Sequence, residues 1–367
     1  MVRRLALRIS AIRLVLSLSS SKYFCIFLDL KGCEGSNAIA LNPSNNRDVV
    51  VSSDDDSLML VNMQTFHAIN DPVSVHCHVT SLSWQPSISQ KYSNEELLLG
   101  AGCSDGSIVF FKPTTMGKNY SVLGKKKIVA HEGAVTTVKW SPDGSSLLSS
   151  GEDGEVKVWS QTGHLRLILA RFDYAVNSVA WNCESSSVVS AHDSILSIHQ
   201  VQNKGDCIEW NVAGDEGKNG VVLAVDWNNY SDLIVCGGED CKYRIFSSRG
   251  VSLFISRSFH NPITSIAWLP DGEAFVVGSF DAICLCAKKG ESLMCFNVDT
   301  QSSIIDMSCT KDSSQIFASC SNGVVLVANV IGKVLEWNGV LVEHIDTNQL
   351  RLDLIKESTS EIIQIQQ

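Results

Sequence analysis

Residues 263–281 read ITSIAWLPDGEAFVVGSFD, and residues 135–153 read VTTVKWSPDGSSLLSSGED. The two stretches align without a gap and share a Thr, a Trp, a Pro-Asp-Gly triplet and a closing Asp. Recurrence in this detail is typical of a chain built from copies of one supersecondary unit. The number and spacing of the copies therefore decide the fold.

The motif recurs along the chain at a nearly constant interval. Clear copies begin at Val79, Val135, Val176, Val222 and Ile263, and weaker ones begin at Ile304 and end at Pro43. The Trp position is filled in turn by Leu41, Trp84, Trp140, Trp181, Trp227, Trp268 and Cys309. The intervals between these positions are 43, 56, 41, 46, 41 and 41 residues. Repeats of about 40–45 residues with several short strands are typical of WD40 propeller blades, and we expect the five tryptophans to anchor their blades.

Each unit has the pattern of four β-strands. VTTVKW (135–140) alternates apolar and polar residues with the period of a strand, and the PDG triplet that follows forms a tight turn. SLLSS (146–150) is predicted to form a second strand of the same unit, and EVKVWS (155–160) alternates again and is predicted to form the third. Gly163, Gly250 and Gly290 then fall in register where a hairpin needs a left-handed residue. Each unit is therefore predicted to be a four-stranded antiparallel meander, with no room for a helix.

Seven units predict an all-β fold, a seven-bladed WD40 β-propeller of four-stranded antiparallel blades over residues 23–335. A strand from the opposite end of the chain commonly closes such a ring, because closure removes exposed sheet edges. YFCIFLDL (23–30) is the favoured candidate for the closing strand, and LEWNGVLVEH (335–344) is the competitor. The long interval after Trp84 predicts extra loop residues at 87–94 or 114–127.

The two ends of the chain do not match the repeats. Residues 1–22 contain five basic residues and no acidic residue, which resembles a mitochondrial presequence and, faintly, a secretory segment. An alternative start or a gene-model artefact explains them equally well, and Arg8 and Arg13 interrupt the apolar run, so no membrane insertion is expected. Residues 336–367 are interpreted as a C-terminal extension, either the start of a truncated second module or an aberrant end.

The amino-acid composition limits the kinds of molecule that the chain is expected to bind. The net charge of −10 argues against nucleic acid, which requires a basic surface. The 13 cysteines are only about 3.5% of the 367 residues and contain no Cys-x-x-Cys, which favours a reducing, intracellular compartment over a disulfide scaffold or a zinc ribbon. Protein partners alone remain as the expected ligands.

One unit carries a complete set of residues that brace a WD40 blade. His131, Ser149, Asp153 and Trp159 stand at the positions where imidazole, hydroxyl, carboxylate and indole groups satisfy one another away from water. These four are predicted to be structural rather than catalytic. Partial sets are predicted elsewhere, with Asp240 and Phe246 in one unit, and His260, Asp281 and Cys286 in the next.

Residues that could carry chemistry are sparse. His76 and His78 share one face of a predicted strand, but a metal site needs further ligands. Cys284 and Cys286 are interpreted as neighbouring core thiols. The sequence has no Gly-rich phosphate loop, no Gly-x-Ser-x-Gly and no His-Glu-x-x-His. We therefore predict a protein that is not an enzyme, with no catalytic residues, metal or cofactor.

Three segments carry a more specific resemblance. GEDGEVKVWSQTGHLRLILA begins at Gly151, VDWNNYSDLIVCGGEDCKYRIF at Val225 and HNPITSIAWLPDGEAFVVGSF at His260. In amino-acid sequence, order and spacing these segments resemble the N-terminal propeller of the eighty-kilodalton WD-repeat subunits of intraflagellar transport complex B. The resemblance spans residues 128–338 and extends more weakly back to Ser36.

The resemblance implies a non-catalytic scaffold that supports cilium assembly through other complex B subunits, located in the cilium, at the ciliary base and in the cytoplasm. Family members carry a second propeller and a helical tail, where self-association is expected, so self-association of this chain is left open. Because fold alone does not assign function, a WD40 adaptor of a vesicle coat or a ubiquitin-ligase substrate receptor stands as the alternative.

Overall fold

The computed structural model describes part of the chain between residues 23 and 364. Not described are residues 1–22, 30–34, 36, 46, 64–66, 70, 87–96, 117–118, 203–206, 213–219, 281, 299–300, 331–333, 338–339, 347–348, 355–358 and 365–367. The predictions made for residues 1–22 and for a loop at 87–94 fall outside the described residues.

The repeat motif forms one strand in every unit. In VTTVKW the apolar Val135, Val138 and Trp140 are buried, while Thr136 and Lys139 are half-buried. The second segment of each unit is buried along nearly its whole length, for example Ser146–Gly151. Its residues have neighbours on both faces, as expected for sheets that stack on one another.

The described residues contain 33 strands and no helix. Strands are numbered in chain order and grouped in blades 1–7. Blade 1 comprises β2 (Ile39–Leu41), β3 (Asp48–Ser53), β4 (Ser57–Asn62), β5 (His67–Ala68) and β6 (Val73–Ser74). Blade 2 comprises β7 (Val79–Trp84), β8 (Leu99–Cys103), β9 (Ser107–Met116) and β10 (Asn119–Val129). Blade 3 comprises β11 (Val135–Trp140), β12 (Ser146–Gly151), β13 (Glu155–Ser160) and β14 (Leu165–Arg171).

Blades 4–7 repeat the arrangement. Blade 4 comprises β15 (Val176–Trp181), β16 (Ser187–His192), β17 (Ile195–Gln200) and β18 (Cys207–Asn211); blade 5 comprises β19 (Val222–Trp227), β20 (Leu233–Gly238), β21 (Tyr243–Ser247) and β22 (Ser252–Ile255); blade 6 comprises β23 (Ile263–Trp268), β24 (Ala274–Ser279), β25 (Ala282–Ala287) and β26 (Ser292–Asn297); blade 7 comprises β27 (Ile304–Cys309), β28 (Gln315–Cys320), β29 (Val324–Val330) and β1 (Tyr23–Asp29).

The blades form a closed ring. Each innermost strand contacts the innermost strands of both neighbouring blades, and β2 contacts β7 on one side and β27 on the other. Seven hydrophobic clusters fill the seven spaces between consecutive blades, including the space between blades 7 and 1, where Phe317 and Val325 pack with Val49. The prediction of a seven-bladed propeller with four-stranded antiparallel blades is confirmed. In blade 1 the two-residue strands β5 and β6 both pair with β4 and together take the place of the fourth strand.

The favoured closing strand completes blade 7. β1 runs antiparallel to β29, from the pair Tyr23–Val330 to the pair Asp29–Val324. The competing segment, 335–344, lies in a separate four-stranded antiparallel sheet of β30 (Val334–Trp337), β31 (Val340–Asp346), β32 (Gln349–Leu354) and β33 (Thr359–Gln364). This sheet begins at Val334, two residues before the predicted C-terminal extension, whose assignment as the start of a second module stays a prediction.

One of the two alternatives for the extra loop residues is wrong. Loop residues were expected at 87–94 or at 114–127, but in the second segment β9 and β10 form a long hairpin of 10 and 11 residues. The two strands pair from Val129–Ser107 to Asn119–Met116, with a register shift between Leu123 and Lys126. Cross-strand hydrogen bonds thus override the loop-like composition of the three lysines and a glycine.

Candidate functional site

The four predicted bracing residues meet in blade 3. His131 lies in the segment before β11, Ser149 on β12, Asp153 in the turn between β12 and β13, and Trp159 on β13. His131 Nδ1 lies 2.8 Å from Asp153 Oδ1, and His131 Nε2 lies 2.7 Å from Ser149 Oγ. Trp159 Nε1 donates to the same Ser149 Oγ at 2.8 Å. The four side chains form one continuous hydrogen-bonded chain.

The environment of His131 determines its protonation state and its tautomer. Burial lowers the pKa of His131 below its ordinary value, against the opposing effect of the Asp153 carboxylate. Burial opposes ionisation of Asp153, but hydrogen bonds from His131 and from backbone N–H groups outweigh it and lower the pKa of that carboxyl. The imidazole is therefore neutral, with Nδ1–H donating to Asp153 and Nε2 accepting from the Ser149 hydroxyl.

Packing around this set leaves no spare volume. A Cβ on Gly151 would lie 2.7 Å from His131 Nδ1, closer than real Cβ contacts allow. Lys157 is buried beside the set, where its Nζ donates to the carbonyl oxygen of Ala130 at 2.6 Å and lies 3.6 Å from Asp153 Oδ2. Every polar group of the set has a partner within the fold, so the arrangement is suited to holding the blade rather than to binding a substrate.

The partial sets depart from the predicted pattern. In blade 5, Asp240 pairs with Arg244 rather than with a histidine, while Phe246 is buried against Trp210 with ring centroids 5.6 Å apart. In blade 6, His260 is exposed and therefore cannot belong to a buried set, which corrects the prediction. Cys286 is buried, and burial raises the pKa of its thiol to about 11. Asp281 lies outside the described residues.

The predicted blade anchors occupy one position in successive blades. Trp84, Trp140, Trp181, Trp227 and Trp268 end the innermost strands β7, β11, β15, β19 and β23. Four of them are at most 6% exposed, and Trp84 is half-buried. Leu41 and Cys309 end β2 and β27 in the same way. The side chains at this position pack between neighbouring blades, as the spacing of the repeats predicts.

Polar side chains on the innermost strands link blade 2 to blade 3, blade 4 to blade 5, blade 5 to blade 6 and blade 7 to blade 1. A serine or aspartate oxygen accepts from a backbone N–H of the following blade, at 2.7–3.2 Å. The pairs are Ser81–Val138, Ser83–Trp140, Ser178–Val225, Asp226–Trp268, Asp306–Ile39 and Ser308–Leu41. The free edge of each innermost strand would otherwise leave these donors unpaired at the centre of the ring.

Charged groups from three non-adjacent blades face the common axis. Lys139 of blade 3 interacts electrostatically with Asp226 of blade 5 and Asp306 of blade 7. Burial raises the pKa of both carboxyl groups, and the Lys139 charge partly offsets this. The central channel is therefore polar, and its charged groups already interact with one another.

The two histidines and the two cysteines that were considered from the sequence do not come together in the structure as one group of ligands. His76 is exposed and its Nδ1 lies 3.0 Å from Ser74 Oγ, whereas His78 Nε2 lies 2.9 Å from Asn37 Nδ2. Among the described residues, neither histidine belongs to a group of three potential metal ligands. Cys284 is not a free thiol: it faces Cys295 on the adjacent strand and forms a disulfide with it, whereas Cys286 is free.

Two clusters were missed from the sequence because each joins residues from separate segments of its blade. Cys77, Cys103 and Asp105 meet in blade 2, and His199, Cys207 and Glu209 meet in blade 4. Cys103 and Asp105, like Cys207 and Glu209, are two residues apart, but no spacing in the sequence signals the third member of either cluster. The described residues also include no helix with the length and apolar character required to cross a membrane.

Comparison with known proteins agrees with this architecture. Residues 124–160, 212–247 and 253–286 match the family model "WD domain, G-beta repeat". The chain is 41% identical over 224 residues to the "Intraflagellar transport protein 80 homolog" of Rattus norvegicus, and equally so to that of Mus musculus. It is 22% identical over 259 residues to "F-box-like/WD repeat-containing protein TBL1X" of Homo sapiens, covering 63% of this chain and 41% of that protein.

The similarity to the rat and mouse proteins covers most of this chain but only a minor part of those proteins. The matched residues make up 60% of this chain but only 28% of the length of the rat and mouse relatives. The chain carries WD40 repeats and is similar to intraflagellar transport protein 80 homologs over most of its propeller, which confirms the predicted resemblance.

Proposed function

We propose that this chain is a non-catalytic scaffold of intraflagellar transport complex B, which supports cilium assembly through contacts with other subunits of that complex. The observation that carries the proposal is the 41% identity over 224 residues with intraflagellar transport protein 80 homologs. A shared propeller fold alone does not require identity at this level over 224 residues, and the same fold serves unrelated functions.

The geometry supports a binding role over a chemical one. The polar groups of blade 3 satisfy one another, and the carboxylates of Asp226 and Asp306 accept hydrogen bonds from the backbone of the next blade. Loops at the two flat faces and the outer strands remain for partners, which is how propellers and other repeat folds present interaction surfaces. We propose the cilium and the ciliary base, together with the cytoplasm, as the locations.

Live imaging tests the proposal. The complete gene product that contains this chain would be tagged in ciliated cells beside a marked complex B subunit. Bidirectional movement along the axoneme, together with the marked subunit, is the expected result. Diffuse signal with no ciliary entry in cells whose marked trains move normally would overturn the proposal.

The same tagged protein tests the alternative of a WD40 adaptor, which the weaker similarity to TBL1X favours. An adaptor of a ubiquitin ligase or a vesicle coat would co-purify with ligase or coat subunits and not with complex B. Affinity purification followed by quantitative mass spectrometry separates the two outcomes. Recovery of complex B subunits in near-equal amounts supports the scaffold.

A further inference from the structure

We propose that His199, Cys207 and Glu209 form a Zn²⁺-binding site on the outer edge of blade 4. The three side chains offer one nitrogen, one sulfur and one oxygen, and their ligand atoms all lie within 4.8 Å of one another. Histidine nitrogen, cysteine sulfur and carboxylate oxygen are the protein ligands that zinc binds.

The distances between the ligand atoms suit a tetrahedral ion. Zinc bonds of about 2.0–2.3 Å at tetrahedral angles separate neighbouring ligand atoms by about 3.5 Å. Cys207 Sγ lies 3.7 Å from His199 Nε2 and 3.5 Å from Glu209 Oε1. These two distances are within a few tenths of an ångström of that value, and the His199 nitrogen and the Glu209 oxygen lie within 4.8 Å of each other. A water molecule would complete the fourth position.

The strand register brings the ligands together. His199 on β17 is directly opposite Cys207 on β18, and Ser197 is opposite Glu209. Residues two apart on one strand share a face, so Cys207 and Glu209 point the same way as His199. A site built on two paired strands is more rigid than one built on loops.

The position of His199 is unusual among the blades. The equivalent place on the third strand holds Trp159 in blade 3 and Phe246 in blade 5, both at most 5% exposed. In blade 4 an imidazole replaces this aromatic ring and is half-buried, with Phe172 packed edge-on at 5.8 Å between ring centroids. This contact holds the ring while Nε2 faces the exposed Cys207.

A second layer of hydrogen bonds orients the carboxylate. The buried Ser197 Oγ donates to Glu209 Oε1 at 3.2 Å, and His192 Nε2 lies 2.9 Å from Ser197 Oγ. His192 is itself stacked on Phe172 with centroids 3.8 Å apart. Such outer partners are typical of metal sites, where they fix the direction of the ligands.

The other cluster of potential metal ligands among the described residues fits zinc less well. Cys77 Sγ and Cys103 Sγ are only 2.9 Å apart and both residues are buried. Two thiolates on one tetrahedral zinc are separated by about 3.8 Å. This cluster therefore serves as a comparison site in the test.

Cobalt substitution tests the site on the purified 367-residue chain. After removal of metals by a chelator, titration with Co²⁺ is expected to give a thiolate-to-cobalt charge-transfer band at one equivalent, which Zn²⁺ then abolishes. Cys207→Ser is expected to remove the band, and Glu209→Gln to weaken Co²⁺ binding at least tenfold. Both residues are exposed, so neither change disturbs the core. His199→Phe, which copies Phe246, is expected to fold and to weaken binding similarly.

Two matched variants serve as controls. Cys183→Ser removes another exposed free thiol, and Cys103→Ser disrupts the cluster in blade 2; both are expected to keep the band. Absence of the band in the unmodified chain, its persistence in Cys207→Ser, or its loss in Cys103→Ser would each overturn the proposal. None of these readouts depends on ciliary function.

Discussion

At the scale of single residues, Ser149 is the centre of the hydrogen-bonded set in blade 3. Its Oγ contacts both His131 Nε2 and Trp159 Nε1, and all three residues are at most 5% exposed. Ser149→Ala leaves two buried polar atoms without partners, each of which costs about 1–3 kcal/mol. We expect the free energy of unfolding to fall by about 2–6 kcal/mol, measured by urea denaturation.

Ser190 provides the matched control for this substitution. It occupies the equivalent position on β16 and is also fully buried, but its Oγ makes only a 3.4 Å contact with the carbonyl oxygen of Ser197. Ser190→Ala is expected to cost less than about 1 kcal/mol. Equal losses for the two serines would show that the chain of hydrogen bonds adds nothing beyond burial.

The neutral state of His131 predicts a pH dependence. Its folded pKa is depressed by burial, so the unfolded chain binds more protons once the pH falls below about 6.5. The contribution of His131 to stability is therefore fully present above that pH and is lost as the pH falls toward the folded pKa. We expect the decrease in melting temperature from pH 7.5 to pH 5.5 to be smaller in His131→Phe than in the unmodified chain.

An exposed histidine supplies the comparison for this measurement. His164 lies in the turn before β14 and is exposed, so His164→Gln is expected to leave the pH dependence of the melting temperature unchanged. A slope for His131→Phe that equals the slope of the unmodified chain would contradict the neutral assignment.

The set in blade 3 was predictable because its members recur at fixed offsets within one repeat. The pair Asp240–Arg244 was missed because an ion pair replaced the expected histidine, and no offset within the motif signals that exchange. His199, Cys207 and Glu209 were missed for a different reason. Their proximity depends on the register between β17 and β18, which the sequence pattern did not define.

At the scale of elements, the second residue of several innermost strands ties neighbouring blades together. The hydroxyl groups of Thr80, Thr136 and Thr264 donate to the first carbonyl oxygen of the next innermost strand. Asn177 makes the same contact with Val222 at 3.0 Å. These bonds satisfy carbonyl groups on strand edges that have no neighbouring strand toward the channel.

Thr136 allows this link to be tested. Thr136→Val keeps the shape of the side chain but removes the donor to the Val176 carbonyl and the contact with Ser150 Oγ at 2.8 Å. We expect the free energy of unfolding to fall by about 1 kcal/mol. Thr136→Ser, which retains the hydroxyl, is expected to recover most of that loss in the same denaturation assay.

The hairpin of β9 and β10 shows where prediction of elements failed. Three consecutive lysines and nearby Pro113 and Gly124 are typical of loops. The backbone nevertheless pairs along most of both strands, because a hairpin satisfies its own hydrogen bonds whatever its composition. The innermost strands were predicted correctly because their alternating apolar residues are the ones buried against the neighbouring blades on both sides.

At the scale of the whole molecule, ring closure explains why this repeat sequence folds as one unit. Each of the seven hydrophobic clusters contains residues from two consecutive blades. No blade buries its faces alone, so removal of one interface exposes two apolar surfaces. The repeat period was sufficient to predict the number of blades, since this mutual burial forces each copy into the same strand order.

Deletion of residues 1–30 tests the closure through β1. The truncated chain lacks the partner of β29, so the seven residue pairs from Tyr23–Val330 to Asp29–Val324 are lost. With about 1 kcal/mol for each lost backbone hydrogen bond, the cost is on the order of 5 kcal/mol. We expect a lower melting temperature and concentration-dependent association, measured by calorimetry and analytical ultracentrifugation, because the exposed edge of β29 can pair with another chain. Deletion of residues 1–22 alone retains β1 and is the matched control. If both truncated chains melt at the same temperature and stay monomeric, β1 does not close the ring.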